Sequence, residues 1–413
     1  MMNNCNNSLP GAINFSVSLK HLIYSGYIFV DSVIADFRLK KWANKKLSHD
    51  GPIRVGFIVQ MPEVWDKEAP IYEAMRDSED FDAKLIVIPN RSLITNEFND
   101  PEKSSYFFNK YPEAINGNKN KTWLDLKSLK LDYVFYQRCY ENYLPEQYHT
   151  KKVIQYARTC YIPYFYCDII QADSYYKTPF FNNLYVMFCC SIEQKEKIKC
   201  HNNSKLVYQG YPAIERSVNT EFNEKQPVVL WTPRWSDNKK YGGTNFFEFY
   251  KKIPTLISDF PEIKLLLRPH PLTFENAVRE GRMTEDEVNC YFKDMDVLGI
   301  AFDHNTFIED TFEKTDIMVT DETSAMIHFF VTGKPIIYCA RTDLDFSNVF
   351  QEIIDCSYKA ADWNDVHKFI SDILSGNDPL KEKREKTAER YRNAEKNASA
   401  SILNYLYNDC KNR

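Results

Sequence analysis

Short apolar runs alternate with amphipathic stretches along most of the chain. Ile53–Val59 (IRVGFIV) follows a Gly51-Pro52 turn, and Lys84–Ile88, Asp132–Tyr136, Tyr161–Tyr166, Tyr185–Cys190 and Lys205–Tyr208 repeat the pattern. Each reads as a buried strand bounded by polar residues. Helical stretches at Lys67–Asp77, Pro145–Ala157 and Ser191–Lys199 lie between them. Strands alternating with helices predict a parallel sheet covered on both faces. A polar segment at 215–226 interrupts the pattern, which then restarts. Val228–Trp231, Ile263–Arg268, Val297–Ala301, Asp316–Thr320 and Pro335–Cys339 read as strands, with helices at about 245–258, 306–314 and 323–332.

The ends differ from this core. Leu19, Leu22, Ile23, Val30, Val33, Ile34 and Phe37 recur at helical spacing, and Lys40, Lys41, Lys45 and Lys46 crowd the end where a helix dipole favours cations. Two readings stay open for this helix: packing on the first domain, or lying on an anionic membrane. From Pro379 to Asn408 a charged helix is expected, with Ile402, Leu403, Tyr405 and Leu406 available to dock it. The expected organisation is an N-terminal helical segment (1–50), two α/β domains (51–215 and 227–375) and a C-terminal helix (376–413).

Composition narrows the function. The 413 residues are 44% hydrophobic and 26% charged, with a net charge of -5, which gives no electrostatic footprint for nucleic acid. Eleven cysteines form no CxxC pair, as expected of reduced thiols in the cytoplasm. Met1–Asn7 carries no basic start of a secretory signal, and no run reaches the length of a membrane span. With 12 Gly there is no GxGxxG or GxxxxGK[ST], and no metalloprotease or paired-aspartate motif appears. Neither a cofactor nor a metal is expected.

Ligands of open α/β sheets sit beyond the carboxyl ends of the strands. Three polar clusters occupy such positions in the second domain: Thr232-Pro233-Arg234-Trp235-Ser236, Arg268-Pro269-His270-Pro271 and Thr320-Asp321-Glu322-Thr323-Ser324. An arginine fork suits two phosphate oxygens. A histidine between two prolines has a stiff backbone and suits hydrogen bonding or proton transfer at a phosphate. In the third cluster Asp321 or Thr323 can cap the next helix, whose first N–H groups favour an anion. Taken singly, each cluster also reads as ordinary capping or structure. Gly242-Gly243 reads as a turn, or as a loop closing over phosphates.

Together, WTPRWS, LLLRPHP and DIMVTDETSAMIHFFVTGKPIIYC resemble the CDP-glycerol glycerophosphotransferases of teichoic acid and capsule synthesis. The resemblance is good over about 227–340 and weak over 51–215. It implies a GT-B architecture: two Rossmann-like domains facing across a cleft, with the CDP-linked donor on the second. It implies that His270 and Arg268 serve the donor phosphates, with Thr232, Pro233, Arg234, Asp321, Thr323 and Ser324 in the donor site. Lys334-Pro335 matches a structural strand start. Two departures stand out. Glu322 replaces a tyrosine and His328 an acidic residue, and the histidine that the family proposes as base in the first domain is missing. Asp168, Asp173 and His149 are the candidates to replace it, Asp168 being taken as catalytic. Tyr136–Arg138 and Tyr164–Asp168 end strands on the acceptor side.

The expected reaction is transfer of glycerol phosphate, or a related polyol phosphate, to a hydroxyl of a lipid-linked or polymeric acceptor. The expected location is the cytoplasm, with peripheral contact at the inner face of the membrane. A GT-B glycosyltransferase using a nucleotide sugar and a non-catalytic nucleotide- or glycan-binding subunit are the alternatives.

Overall fold

Two parallel sheets organise the computed structural model, which describes residues 10–43, 49–92, 95–166, 173–198, 204–217, 221–234, 243–270, 272–339 and 346–411. The first contains β1 (Ile53–Val59), β2 (Phe81–Val87), β3 (Ile115–Asn116), β6 (Tyr133–Tyr136), β7 (Arg158–Tyr161), β8 (Val186–Phe188) and β9 (Lys205–Val207). Their order is β3-β2-β1-β6-β7-β8-β9; a small hairpin of β4 (Asn118–Lys119) and β5 (Thr122–Trp123) stands apart. The second contains β10 (Val228–Thr232), β11 (Lys264–Leu267), β12 (Ala301–Phe302), β13 (Ile317–Thr320), β14 (Ile336–Tyr338) and β15 (Tyr358–Lys359), in the order β12-β11-β10-β13-β14-β15. In β1 every residue but Arg54 is buried, as expected where helices cover both faces.

Three elements differ from the sequence expectation. Tyr161–Tyr166 is not the strand; β7 ends at Tyr161, because Pro163 has no N–H to give a ladder. Val297 ends a helix, Glu285–Val297, set in place by a Thr284/Glu287 capping box, so the strand expected at Val297–Ala301 is only Ala301–Phe302. The helix expected over 323–332 is five residues long, Met326–Phe330, with turns on either side.

The C-terminal helical segment spans both sheets' domains. Its first part, Lys381–Glu395, packs on the second domain: Arg384 Nε donates to the Gly333 carbonyl (2.8 Å) and Tyr391 Oη to Glu352 (2.6 Å). After a break at Lys396-Asn397, Ala398–Lys411 crosses to the first domain. Gly210 marks the crossing: its φ is +90°, and a Cβ there would lie 2.7 Å from that of Ala398.

Buried Asp409 then fixes the last helix. It accepts hydrogen bonds from Tyr133 Oη (2.7 Å), Tyr185 Oη (2.8 Å) and Lys205 Nζ (2.6 Å), with Arg158 at 3.9 Å. Burial pushes its carboxyl up, but these donors hold it below the usual range. A depressed carboxyl contributes stability above about pH 3.9 that is lost as pH falls through the folded value. Asp409→Ala leaves buried Arg158 uncompensated and lowers stability by about 3 kcal/mol or more; urea titration at pH 7 measures the loss.

The N-terminal helix, Pro10–Ala43, rests on the first domain through one edge. Asp31 accepts from the side-chain amides of Asn182 and Asn183 (3.1 Å each), Arg38 donates to Asn183 (3.0 Å), and Trp42 Nε1 donates to the Ile154 carbonyl (2.5 Å). The packing reading is therefore realised on that edge. Its other face leaves Tyr27, Phe29, Val30, Val33, Ile34 and Phe37 exposed, with Phe29 and Phe37 about 70% accessible. Among the described residues no helix is long and apolar enough to cross a membrane.

Candidate active site

Because β11, β10 and β13 are neighbours in the second sheet, the three polar clusters are adjacent at its carboxyl edge. The sheet ladder continues into them: Arg268 N–H donates to the Trp231 carbonyl (2.9 Å), and Thr320 Oγ1 to the Thr232 carbonyl (2.7 Å). Thr232 and Pro233 are buried backbone supports. Trp235, Ser236 and Pro271 lie outside the described residues.

Two arginines and a histidine define the polar character of this edge. The Arg268 guanidinium is held by Asp303, which follows β12, and by Thr311 Oγ1 (3.4 Å). Thr311 Oγ1 in turn donates to Asp303 (2.5 Å). Burial pushes the Asp303 carboxyl up, but Thr311 and Arg268 hold it below its usual range, so it stays ionised and anchors the arginine. Arg234 pairs with the Glu322 carboxylate and donates to the Glu322 carbonyl (2.9 Å). Glu322 is thus the counter-ion of Arg234.

His270 sits at the rim and is exposed on one side. Its Nδ1 accepts the backbone N–H of Leu272 (3.1 Å), which puts the ring proton on Nε2. Desolvation, then the charge of Arg234, push it down to about 4. At neutral pH the imidazole is uncharged and offers Nε2–H as a donor.

Asp321 is the hub of the third cluster, and its place is structural. Its buried carboxylate accepts from Thr244 Oγ1 (2.7 Å), the backbone N–H groups of Arg234 (3.1 Å) and Asn245 (3.2 Å), and Asn245 Nδ2 (2.7 Å). Burial holds the carboxyl above its usual range, and these donors offset only part of that rise. Asp321 therefore ties both ends of the 234–245 loop to β13 and does not cap the helix at 326. Gly243 has a φ of +71° and turns the chain into Thr244-Asn245; Gly242 lies outside the described residues. Thr323 and Ser324 are half-buried in the turn before Met326, where Thr323 Oγ1 accepts from Ala325 N–H at 3.4 Å. A five-residue helix with no side-chain cap is a weaker anion site than the sequence implied.

The first domain's strand ends carry polar groups of their own. After β1, Gln60 and Met61 N–H groups donate to Gln137 Oε1 (2.9 and 2.8 Å). After β6, Arg138 donates to Gln60 (3.0 Å) and Asn90 (2.8 Å) and stacks 4.3 Å over the Tyr143 ring. Tyr140 and Tyr164 hydroxyls meet at 3.0 Å. Tyr136 is core: it donates to the Tyr148 carbonyl (2.9 Å). Of the base candidates, His149 is engaged locally with the Leu144 carbonyl (3.3 Å) and Glu141 (3.9 Å). Asp173 begins a 3-10 turn, and Asp168 lies outside the described residues.

Sequence reasoning passed over Asp303, Thr244 and Asn245. A lone Asp after a strand and a Thr-Asn pair after Gly243 carry no spacing signal; only the fold brings them to Arg268 and Asp321. It also passed over Asp66, Glu309 and the imidazole of His328, which meet where the two domains touch.

No curated protein sequence matches the chain. Solved structures match its fold across nearly its whole length. The wall teichoic acid polymerase TagF is 13% identical with a TM-score of 0.55, over 98% of this chain and 99% of that one. UDP-GlcNAc 2-epimerase from Neisseria meningitidis, bound to UDP-GlcNAc, is 12% identical with a TM-score of 0.56, over 86% and 99%. Another UDP-N-acetylglucosamine 2-epimerase gives 12% and 0.53, over 87% and 96%. These establish the GT-B fold. Residues 176–407, more than half the chain and all three clusters, match the family model described as CDP-glycerol:poly(glycerophosphate) glycerophosphotransferase. With the adjacent arginine-rich strand ends, this match establishes that the chain is a transferase of the CDP-glycerol glycerophosphotransferase family, which acts in cell-surface polymer synthesis.

Proposed function

We propose that the donor diphosphate lies over the ends of β10, β11 and β13, between Arg234, Arg268 and His270. The observation that carries this reading is the convergence of two anchored guanidinium groups and one uncharged imidazole donor on a single sheet edge. An acceptor hydroxyl attacks the phosphorus that bears glycerol. A new O–P bond forms, the P–O bond to CMP breaks, and CMP leaves with its charge met by the arginines and His270 Nε2–H. The acceptor's proton passes to a carboxylate of the first domain, the role assigned to Asp168. Thr323 and Ser324 hydroxyls add donors beside the diphosphate. The acceptor enters along the Arg138, Tyr140 and Tyr164 edge, where aromatic faces and a guanidinium suit a polyol phosphate. Release of CMP from CDP-glycerol, compared with turnover of UDP- and CMP-sugars, tests the donor. Turnover of the sugars alone contradicts the reading.

The acceptor is lipid-linked on this reading, and the exposed face of the N-terminal helix rests on the anionic inner surface of the membrane. Six exposed apolar residues with Lys40 and Lys41 at the end have the composition of such a face. The full chain is expected to sediment with vesicles of 30% anionic lipid by roughly tenfold more than with neutral vesicles. Phe29→Asp with Phe37→Asp removes the difference. Sedimentation of the double variant with anionic vesicles as strong as that of the wild type would contradict membrane docking.

A further inference from the structure

Where the two domains touch, three potential metal ligands converge from three separate elements. Asp66 lies before the helix Ala69–Arg76 of the first domain; Glu309 belongs to the helix Ile308–Phe312 and His328 to Met326–Phe330 of the second. One ligand atom from each lies within 4.8 Å of the others. Oxygens and nitrogens bound to one ion at about 2.0–2.2 Å lie within roughly 4.4 Å of each other, so small side-chain rotations close the site.

The unsatisfied atoms are what point to a ligand. The His328 side chain is only 10% exposed, and its Nδ1 is buried without a hydrogen-bond partner. Glu309 Oε1 is also buried without one. The two atoms form an ion pair at 3.2 Å, and neither has a hydrogen-bond partner beyond it. A buried ion pair without further hydrogen bonds is costly to keep desolvated, and a bound ion can satisfy both a carboxylate and an imidazole. Beside them Asp66 is buried, and burial and Glu309 push its carboxyl up to about 6 against the opposing pull of His328 and Lys67. Lys67 and Arg268 are the nearest cations, but Lys67 donates to the Gln137 carbonyl and Arg268 is held by Asp303.

We propose that Asp66, Glu309 and His328 bind one divalent first-row cation, of the zinc or manganese kind, across the domain seam. Two carboxylates and an imidazole match that class better than the all-oxygen sets that magnesium and calcium take. The three residues also line a cavity of about 300 Å³, whose walls carry Lys110, Arg216 and Phe307. The open coordination positions face this cavity, where water or an anionic oxygen completes the shell. Because Asp66 comes from one domain and the other ligands from the second, the ion also clamps the cleft. The site is independent of the donor reading, and its binding test does not require turnover.

The test uses the full chain, stripped with a chelator and titrated calorimetrically with MnCl2, ZnCl2 or MgCl2. One manganese or zinc ion binds per chain, and magnesium binds at least about tenfold more weakly. Asp66→Asn and His328→Gln each weaken manganese binding by about tenfold or more, while far-UV circular dichroism and the melting temperature in chelator stay unchanged. Should a variant fold poorly, the wild-type chain still decides: electron-spin-echo spectra of its bound manganese carry nitrogen coupling from one imidazole. Absence of one-to-one binding, binding undiminished in both folded variants, or manganese spectra without nitrogen coupling would overturn the proposal.

Discussion

His270→Ala is expected to lower kcat/KM for CDP-glycerol by about 100-fold, with the melting temperature unchanged. The ring stands at the rim of the cleft, so its removal opens no core cavity. What is lost is a donor aimed by its own backbone: Leu272 N–H occupies Nδ1 and leaves the proton on Nε2. His270→Gln keeps an N–H donor of similar reach and recovers part of the rate, whereas His270→Asn places it too far back. The pH profile separates a hydrogen-bond donor from a titrating acid. In the free protein His270 is pushed down to about 4, so the neutral form persists throughout pH 5–8. Its folded value lies below the ordinary 6.5; the group gains a proton only as pH falls through about 4. No limb near pH 6.5 in kcat/KM is therefore expected from this residue. A limb there that disappears in His270→Gln would show that it works as an acid.

Asp321→Ala should be the most damaging substitution in the second domain. Four donors, from Thr244, Asn245 and the Arg234 backbone, converge on this one buried carboxylate, and alanine takes that shared acceptor from all of them. Hydrogen bonds to a charged group are worth about 1.5–3 kcal/mol each, and orphaned buried donors add a desolvation penalty. A loss of about 3–5 kcal/mol is expected in urea titration. Asp321→Asn fares little better, because its amide donates toward Asn245 and Thr244. Activity falls in both even where the chain stays folded, since the 234–245 loop carries Arg234. A Thr244→Val variant, which removes one donor and leaves the carboxylate its other three, loses only about 1 kcal/mol. Equal losses in Asp321→Ala and Thr244→Val would mean that the loop is held by something else.

Much of the architecture was legible because parallel strands buried on both faces are written as unbroken apolar runs. IRVGFIV coincides with β1, and β10, β11, β13 and β14 fall within a residue of their expected limits. The short edge strands escaped notice, because two residues such as Tyr358–Lys359 carry no period. The C-terminal segment was legible as charged helix, but not its break at Lys396-Asn397, which depends on crossing from one domain to the other. At the site, Arg234, Arg268 and His270 were found because each directly follows a strand. Their pairings were not: Asp303 and Glu322 meet the arginines, and the Thr244-Asn245 pair meets Asp321, only through contacts across loops. Asp321 was expected at a helix start and belongs to a loop anchor, because the turn at 322–325 delays the helix to Met326.

A difference map from a crystal of the full chain soaked with CDP-glycerol bears most directly on the proposed donor site. The account predicts diphosphate density within hydrogen-bond reach of the Arg268 guanidinium and His270 Nε2, above the ends of β10 and β11. Diphosphate bound instead at the strand ends of the first domain, beside Arg138, would contradict it.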